Sequence, residues 1–379
     1  MRGLLAVLRA GAALGLGAGF CLAAEVPKTS DGCGECHKDI YSMWRASAHA
    51  RSMEDPVFLA SFRQVQEREA APVARLCLKC HAPLAELTGD LALAKKRTWE
   101  GVSCDVCHSL VSVDMSGFGP RQVFDLGDVK RGPIPDAASS AHEVAYSELH
   151  ATPLACAGCH EFTNSEGTAV MTTYTEWKES AAARQGKTCQ TCHMGRVRAA
   201  VVDPKVARVQ HAEVNVHEVP GGHSLDQLHK ALSVTVHPKH AGDSLRVEVR
   251  LTNKGAGHAV PTGMPGRRVV LDVRVRTSDG TTFEDSRIYE RFFLDASGRR
   301  VTEASRYFTG GIRLESDSRI RADERRVETF SFPVSASATA YMTVRLNYEH
   351  APMAQDEGRT LLTFYSESRT LSFRGAGAP

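Results

Sequence analysis

The sequence predicts an α+β chain of two unlike parts, a helix-and-loop segment followed by an antiparallel β-sandwich. Three observations predict it. Every cysteine after residue 24 lies before residue 193, the surrounding segment is punctuated by Gly, Pro and Ser, and the apolar pattern switches to period two near residue 232. The expected boundaries are 1–24 for a cleaved leader, 25–204 for the cysteine-bearing domain, 205–231 for a linker and 232–379 for the sandwich.

The leader is read from Arg2 and Arg9, the apolar run 11–22 and the small pair Ala23 and Ala24. It implies export, to the periplasm or with outer-surface attachment. Cys21 follows Phe20, whereas a lipidation site calls for a small residue there. No later run is apolar enough for a transmembrane segment, so none is expected. The 379 residues carry a formal charge of +2 without a basic tail, which argues against nucleic acid as a partner. Only 7% of residues are aromatic, a modest supply for a core of this size. A large apolar group in the interior would make up the difference.

The ten cysteines beyond the leader form one pattern, Cys-x-x-Cys-His, used five times. The copies are Cys33, Cys36 and His37; Cys77, Cys80 and His81; Cys104, Cys107 and His108; Cys156, Cys159 and His160; and Cys189, Cys192 and His193. Two thiols at this spacing add across the two vinyl groups of a haem, and the adjacent histidine binds the iron. One copy alone would leave a zinc knuckle or a dithiol redox pair open. Disulfides would suit an exported chain but give no reason for five histidines. The expected cofactor is therefore haem c, five copies, each covalently attached and holding one iron. Burying five such groups replaces the missing aromatic core, so this half is expected to be unfolded without them.

Each iron has a sixth position, and the chain holds 16 histidines in all. His49 follows Tyr41, Trp44 and Ser47 on a predicted helix. His142 and His150 precede the fourth motif, and one of them is expected to cross to a neighbouring haem. His217 and His223 flank Pro220, Gly221 and Gly222, a turn that allows close backbone approach. His258 lies in a loop that runs from Gly257 to Pro261, Thr262 and Gly263, and is expected to reach back to the cysteine-bearing half. His211 is a further candidate. His229, His237, His240 and His350 have bland surroundings and read as solvated. Met194 follows His193 directly and is badly placed for the opposite face of the same iron.

The helices expected in the first half span 39–50, 55–69 and 174–184, with a long surface loop over 112–140. In the second half Leu245, Val247, Val249 and Leu251 alternate with charged residues. Val269, Leu271, Val273 and Val275 share a face, as do Val344, Leu346 and Tyr348, and Phe330, Phe332 and Val334. Asp279-Gly280 and Ser297-Gly298 supply turns between strands. Short alternating strands with such turns predict a sandwich, and without cysteine it carries no covalent haem.

The segment Cys33-Gly-Glu-Cys-His37 with Tyr41, Trp44, Ser47 and His49 resembles the start of cytochrome c-554-type multihaem proteins. The stretches from Gly101 to His108, from Tyr174 to Trp177 and from Thr188 to Met194 look like later haem sites of that superfamily. The loop of His258 with Arg267 and Arg268 looks like a β-domain appended in some members. The resemblance implies a periplasmic electron carrier with stacked, partly bis-histidine haems, in which the histidine matching His49 is a distal ligand. This sequence departs from the tetrahaem relative by its fifth motif and its β-domain. The superfamily also contains enzymes that act on nitrite or hydroxylamine.

Three functions compete on these residues. An electron carrier needs close haems and closed sixth positions. A multihaem oxidoreductase acting on a small nitrogen or sulfur oxyanion needs one five-coordinate haem with distal Arg, His or Tyr. An interaction module would use the sandwich to dock. Five motifs that all end in His, and enough spare histidines to close every iron, favour the carrier. No catalytic residue is assigned. Its expected partners are redox proteins, quinol-linked or terminal reductase and oxidase complexes.

Overall fold

The computed structural model describes residues 29–372 apart from 70, 118, 209–210, 336 and 351–360; the expected leader, with Cys21, lies outside the described residues. The cysteine-bearing half is built of short helices that end on the motif histidines. Ala71–His81, Cys104–His108, Leu154–His160 and Cys189–His193 each close on the last residue of a motif. The side chains of Ser103 and Thr188 cap two of these helices by accepting from Val106 N and Thr191 N. The helix Pro56–Arg68 starts on Asp55, whose carboxylate accepts from Phe58 N, with proline in its first turn. It packs Phe62 against Met53, Leu78, Ala82 and Ala85, a small protein core beside the second motif.

Two expected helices are shorter or broken. The one predicted over 39–50 ends at Ala46, because Ser47 turns extended (φ −76°, ψ 158°) and its hydroxyl accepts from Ala50 N at 3.1 Å. The one predicted over 174–184 is cut at Ser180 (φ −77°, ψ 165°) into Thr173–Glu179 and Ala181–Arg184, and Ser180 Oγ accepts from Ala183 N. Serine competes with the helix by bonding its own neighbours. The expected loop over 112–140 instead carries short pairs. Leu110–Asp114 runs antiparallel to Arg121–Phe124, and Lys130–Gly132 lies parallel to Val144–Tyr146. Strands of three to five residues are too short to leave a readable period.

These two serines belong to an internal duplication. Tyr41 and Trp44 meet with ring centroids 5.7 Å apart, and so do Tyr174 and Trp177. Trp44 Nε1 donates to Val102 O and Trp177 Nε1 to Lys187 O, in each case two residues before the first cysteine of a motif. Where the first copy has His49, the second has Ala182.

From Leu232 the chain forms two antiparallel sheets. Arg325–Pro333, Ser244–Asn253 and Leu232–Ala241 make the three-stranded sheet, in that order. Ile312–Asp317, Thr282–Asp295, Arg268–Thr277, Thr339–Glu349 and Leu361–Ser372 make the five-stranded one. The alternating residues named above face one another: Leu245, Val247, Val249, Leu251, Val269, Leu271, Val273, Val344, Leu346, Phe330 and Phe332 share one buried core. Gly280 and Gly298 take φ of 91° and 79° at the expected turns, where a side chain would be strained.

The halves are packed together. Val170 and Met171 of the first half share a buried cluster with Phe293, Val301, Tyr307 and Ile312 of the second. Beside it runs an ionic latch: Arg319 bonds Glu176 at 2.6 Å and Asp317 at 2.7 Å, and Arg291 reaches Thr172 Oγ1 and Ala169 O. No helix among the described residues is long and apolar enough to cross a membrane.

Candidate haem sites

All ten described cysteines and the five motif histidines line one continuous cavity of about 4020 Å³. A pocket for one ligand occupies about 300–1,000 Å³, so this space suits several large groups. None of the ten cysteines is in a disulfide. Thiols of different motifs meet: Cys33 with Cys104, Cys80 with Cys159, and Cys156 with Cys189. The shared hydrogen bond draws Cys33, Cys159 and Cys189 below the ordinary thiol range and drives their partners up. The attachment points therefore run first to third motif, second to fourth, and fourth to fifth.

The histidine pairs give the sharpest geometry. With metal–nitrogen bonds of about 2.0 Å and a ring radius of about 1.1 Å, imidazoles on opposite faces of one metal have centroids roughly 6.2 Å apart. His37 faces His142 at 6.2 Å, His160 faces His49 at 6.2 Å, and His193 faces His258 at 6.2 Å. His108 has two neighbours, His150 at 5.9 Å and His217 at 6.5 Å. The free ring nitrogen decides between them. His150 engages both nitrogens, Nδ1 with Ser147 Oγ and Nε2 with Cys107 O, whereas His217 donates Nδ1 to Asn215 O and keeps Nε2. His37, His108, His193, His142 and His258 also turn Nδ1 to a backbone carbonyl, at 2.5–3.0 Å. That bond fixes the tautomer and leaves Nε2 for a metal.

Burial favours the neutral, ligating form of His49, His108, His160, His217 and His258. Desolvation pushes His108 down to about 4 and His160 to about 3, and lowers His49, His217 and His258 as well. Among the described residues no cluster of three or more His, Cys, Asp or Glu could hold a metal by itself. A pair of imidazoles offers two ligands, and a porphyrin supplies the other four, so the residues present fit haem.

His258 is delivered from the sandwich. Gly257 lies on the second copy of the repeat; a Cβ there would sit 3.0 Å from Ala182 Cβ and 3.1 Å from Trp177 Cδ1. Glu176 Oε2 accepts from Ala259 N at 2.9 Å, and Thr173 meets Thr262 at 2.8 Å. The repeat without its own histidine thus receives one from the other half.

The remaining candidates go elsewhere. His223 packs on His350, with ring centroids 4.2 Å apart, and neither pairs with a motif histidine. His211 lies 3.4 Å from Asp136. The solvated reading of His350 is corrected: burial lowers its pKa to about 3, because it caps the strand Thr339–Glu349 at the cavity edge. His229 and His240 bond the carbonyls of Phe364 and Val334 and serve the sandwich.

Residues 32–109 match the sequence profile of the family described as cytochrome c554 and c-prime. That stretch holds the first three of the five Cys-x-x-Cys-His motifs, and all five motifs line one cavity, an arrangement that fits covalently attached haem c. Its fold is similar to the crystal structure of a penta-heme cytochrome c552 from Thermochromatium tepidum, with a TM-score of 0.71 and 21% identity over 91% of this chain and 99% of that one. Two other likenesses are too weak to carry an argument. They are a putative ApaA protein from Bordetella pertussis (TM-score 0.20, 14% identity, 38% of this chain and 95% of that one) and the sporulation control protein Spo0M from Bacillus subtilis (0.17, 9%, 38% and 50%). No curated protein sequence matches significantly.

Proposed function

We propose that the chain is an exported pentahaem electron carrier, with residues 25–204 as its haem domain, 205–231 as a linker that supplies ligands and 232–379 as a sandwich that closes one haem. The observation that carries this reading is the set of four motif histidines with a second imidazole at 6.2–6.5 Å. The five pairs of motif cysteines attach the haems, and His37, His81, His108, His160 and His193 are the proximal ligands. His142, His217, His49 and His258 close the first, third, fourth and fifth sites. His150 stands beside the third and positions Cys107 through its carbonyl.

A haem c, when bound, supplies an iron that takes up or releases one electron. The protein does the rest. Paired neutral imidazoles leave no vacancy for a substrate at four sites, which restricts those sites to electron transfer. Burial and the Nδ1 hydrogen bonds set how electron-rich each ligand is. The thiol contacts link first to third motif and second and fifth to the fourth, and the nearness of Cys107 to Cys159 joins third to fourth, which makes a branched path. Periplasmic redox proteins are the partners.

Two measurements test it. Intact mass under denaturing conditions should show five haem additions, and four or fewer from a host with full maturation machinery would refute the count. Stopped-flow reoxidation of the reduced protein should be fast with a small partner cytochrome. Rapid multi-electron reoxidation by nitrite, hydroxylamine or tetrathionate, with stoichiometric product, would replace the carrier by an oxidoreductase.

A further inference from the structure

The second motif departs from the other four. The ring packed on His81 is Phe58, parallel at 3.9 Å and 9°, where the others face histidine. The two histidines left over, His223 and His350, are only 4.2 Å apart, too close to hold an iron between them. They share the cavity with Arg267 and Tyr348. Arg267 immediately precedes the strand Arg268–Thr277, and its Nη1 donates to Thr262 O at 2.9 Å while the guanidinium lies against the Tyr348 hydroxyl. Gly222 leaves room for that hydroxyl; a Cβ there would stand 2.7 Å from it.

The charge of Arg267 is felt at His81, His223 and His350, and also at His160 of the fourth motif. Among the described residues no carboxylate forms an ion pair with Arg267. The other charged groups facing this cluster are Arg51 and Asp55, and Asp55 is already occupied in capping Phe58 N. His350 Nδ1 is buried without a hydrogen-bond partner. An inward-facing cation and an unspent imidazole nitrogen, lining a cavity beside a motif that lacks a second histidine, call for a partner of opposite charge.

We propose that Arg267, His223, His350 and Tyr348 form a binding site for a small monovalent anion that occupies the sixth position at the haem of Cys77, Cys80 and His81. The ligand class is an anion of a few atoms with a lone pair for the metal and a charge for the guanidinium, of which azide, cyanide and nitrite are probes. The sandwich supplies Arg267, Tyr348 and His350 and the linker supplies His223, so the sandwich closes one haem with His258 and helps keep another open with Arg267. The proposal rests on the reading that the second motif carries haem.

The test uses the oxidised holoprotein. Electron paramagnetic resonance should show one high-spin ferric iron alongside four low-spin ones, and azide should convert it saturably. Arg267→Gln should weaken azide by about tenfold or more, as the loss of one charge-assisted contact does, while neutral imidazole binds with little change. Arg267→Lys should restore part of the azide affinity. Five haems with an entirely low-spin spectrum, turning high-spin only in His223→Ala or His350→Ala, would overturn the proposal alone, because one of those rings would then be the sixth ligand. Equal azide affinity in Arg267→Gln would also overturn it. Four haems by mass, with the second motif unmodified, would sink the haem reading and the proposal together.

Discussion

Arg319 joins the two halves, and replacing it by methionine tests how the sandwich holds His258. The guanidinium, about 7% exposed, bonds Glu176 Oε1 at 2.6 Å and Asp317 Oδ2 at 2.7 Å. Glu176 in turn accepts from Ala259 N, next to His258. Breaking a buried pair costs about 3–5 kcal/mol, because the partner is left charged and unpaired. Both carboxylates keep some water, and Arg291 remains 3.7 Å from Asp317, which lowers the expected loss to about 2–3 kcal/mol. For a cooperative unit of about 150–250 residues, the size range of either half melting by itself, that corresponds to a fall of roughly 4–12 °C in melting midpoint. The assay is thermal melting of the oxidised holoprotein in Arg319→Met, Glu176→Gln and the double variant. The double should fall little further than Arg319→Met alone, and an extra high-spin signal should appear as His258 loosens. A shift below about 1 °C, or simple additivity of the two changes, would refute the latch.

Three further outcomes follow from the same geometry. His49→Ala should add one high-spin iron, reversed by exogenous imidazole; an unchanged spectrum would remove His49 as the partner of His160. Burial holds His350 at about 3, below its ordinary value, so its contribution to stability is full above about pH 6.5 and is lost as pH falls through that window towards 3, by at most ~1.4 kcal/mol per pH unit. His350→Gln should flatten that part of the stability profile, and an unaltered acid limb would place His350 outside it. Residues 232–379 expressed alone should give a β-type circular dichroism spectrum, since the larger sandwich core is contributed from Leu228 onward; a helical or disordered spectrum would contradict this.

The haem motifs and the sandwich were legible because both signals are local. Cys-x-x-Cys-His is complete within five residues, and the alternation of Leu245 to Leu251 needs no partner to be read. Distal pairing was only partly legible. Nothing in the sequence joins His37 to His142 or His108 to His217; those pairs exist because separate loops converge on one cavity. His142 and His150 look equivalent in sequence, but His142 faces His37 whereas His150 lies beside His108 with its Nε2 on the Cys107 carbonyl. His350 looked solvated at the end of an alternating strand, but the cavity edge buries it against His223. The repeat of Tyr41, Trp44 and Ser47 at Tyr174, Trp177 and Ser180 was visible in principle. The alanine at position 182, where the first copy has His49, is the visible sign that the second copy lacks a histidine of its own.

The measurement that tests the account most directly is spin quantitation of the fully oxidised protein by low-temperature electron paramagnetic resonance, against total haem iron. Four histidine pairs at 6.2–6.5 Å and one motif histidine stacked on Phe58 predict four low-spin irons and one high-spin iron in every five. Two or more high-spin irons would contradict the account, because at least one pair would then not bracket a metal.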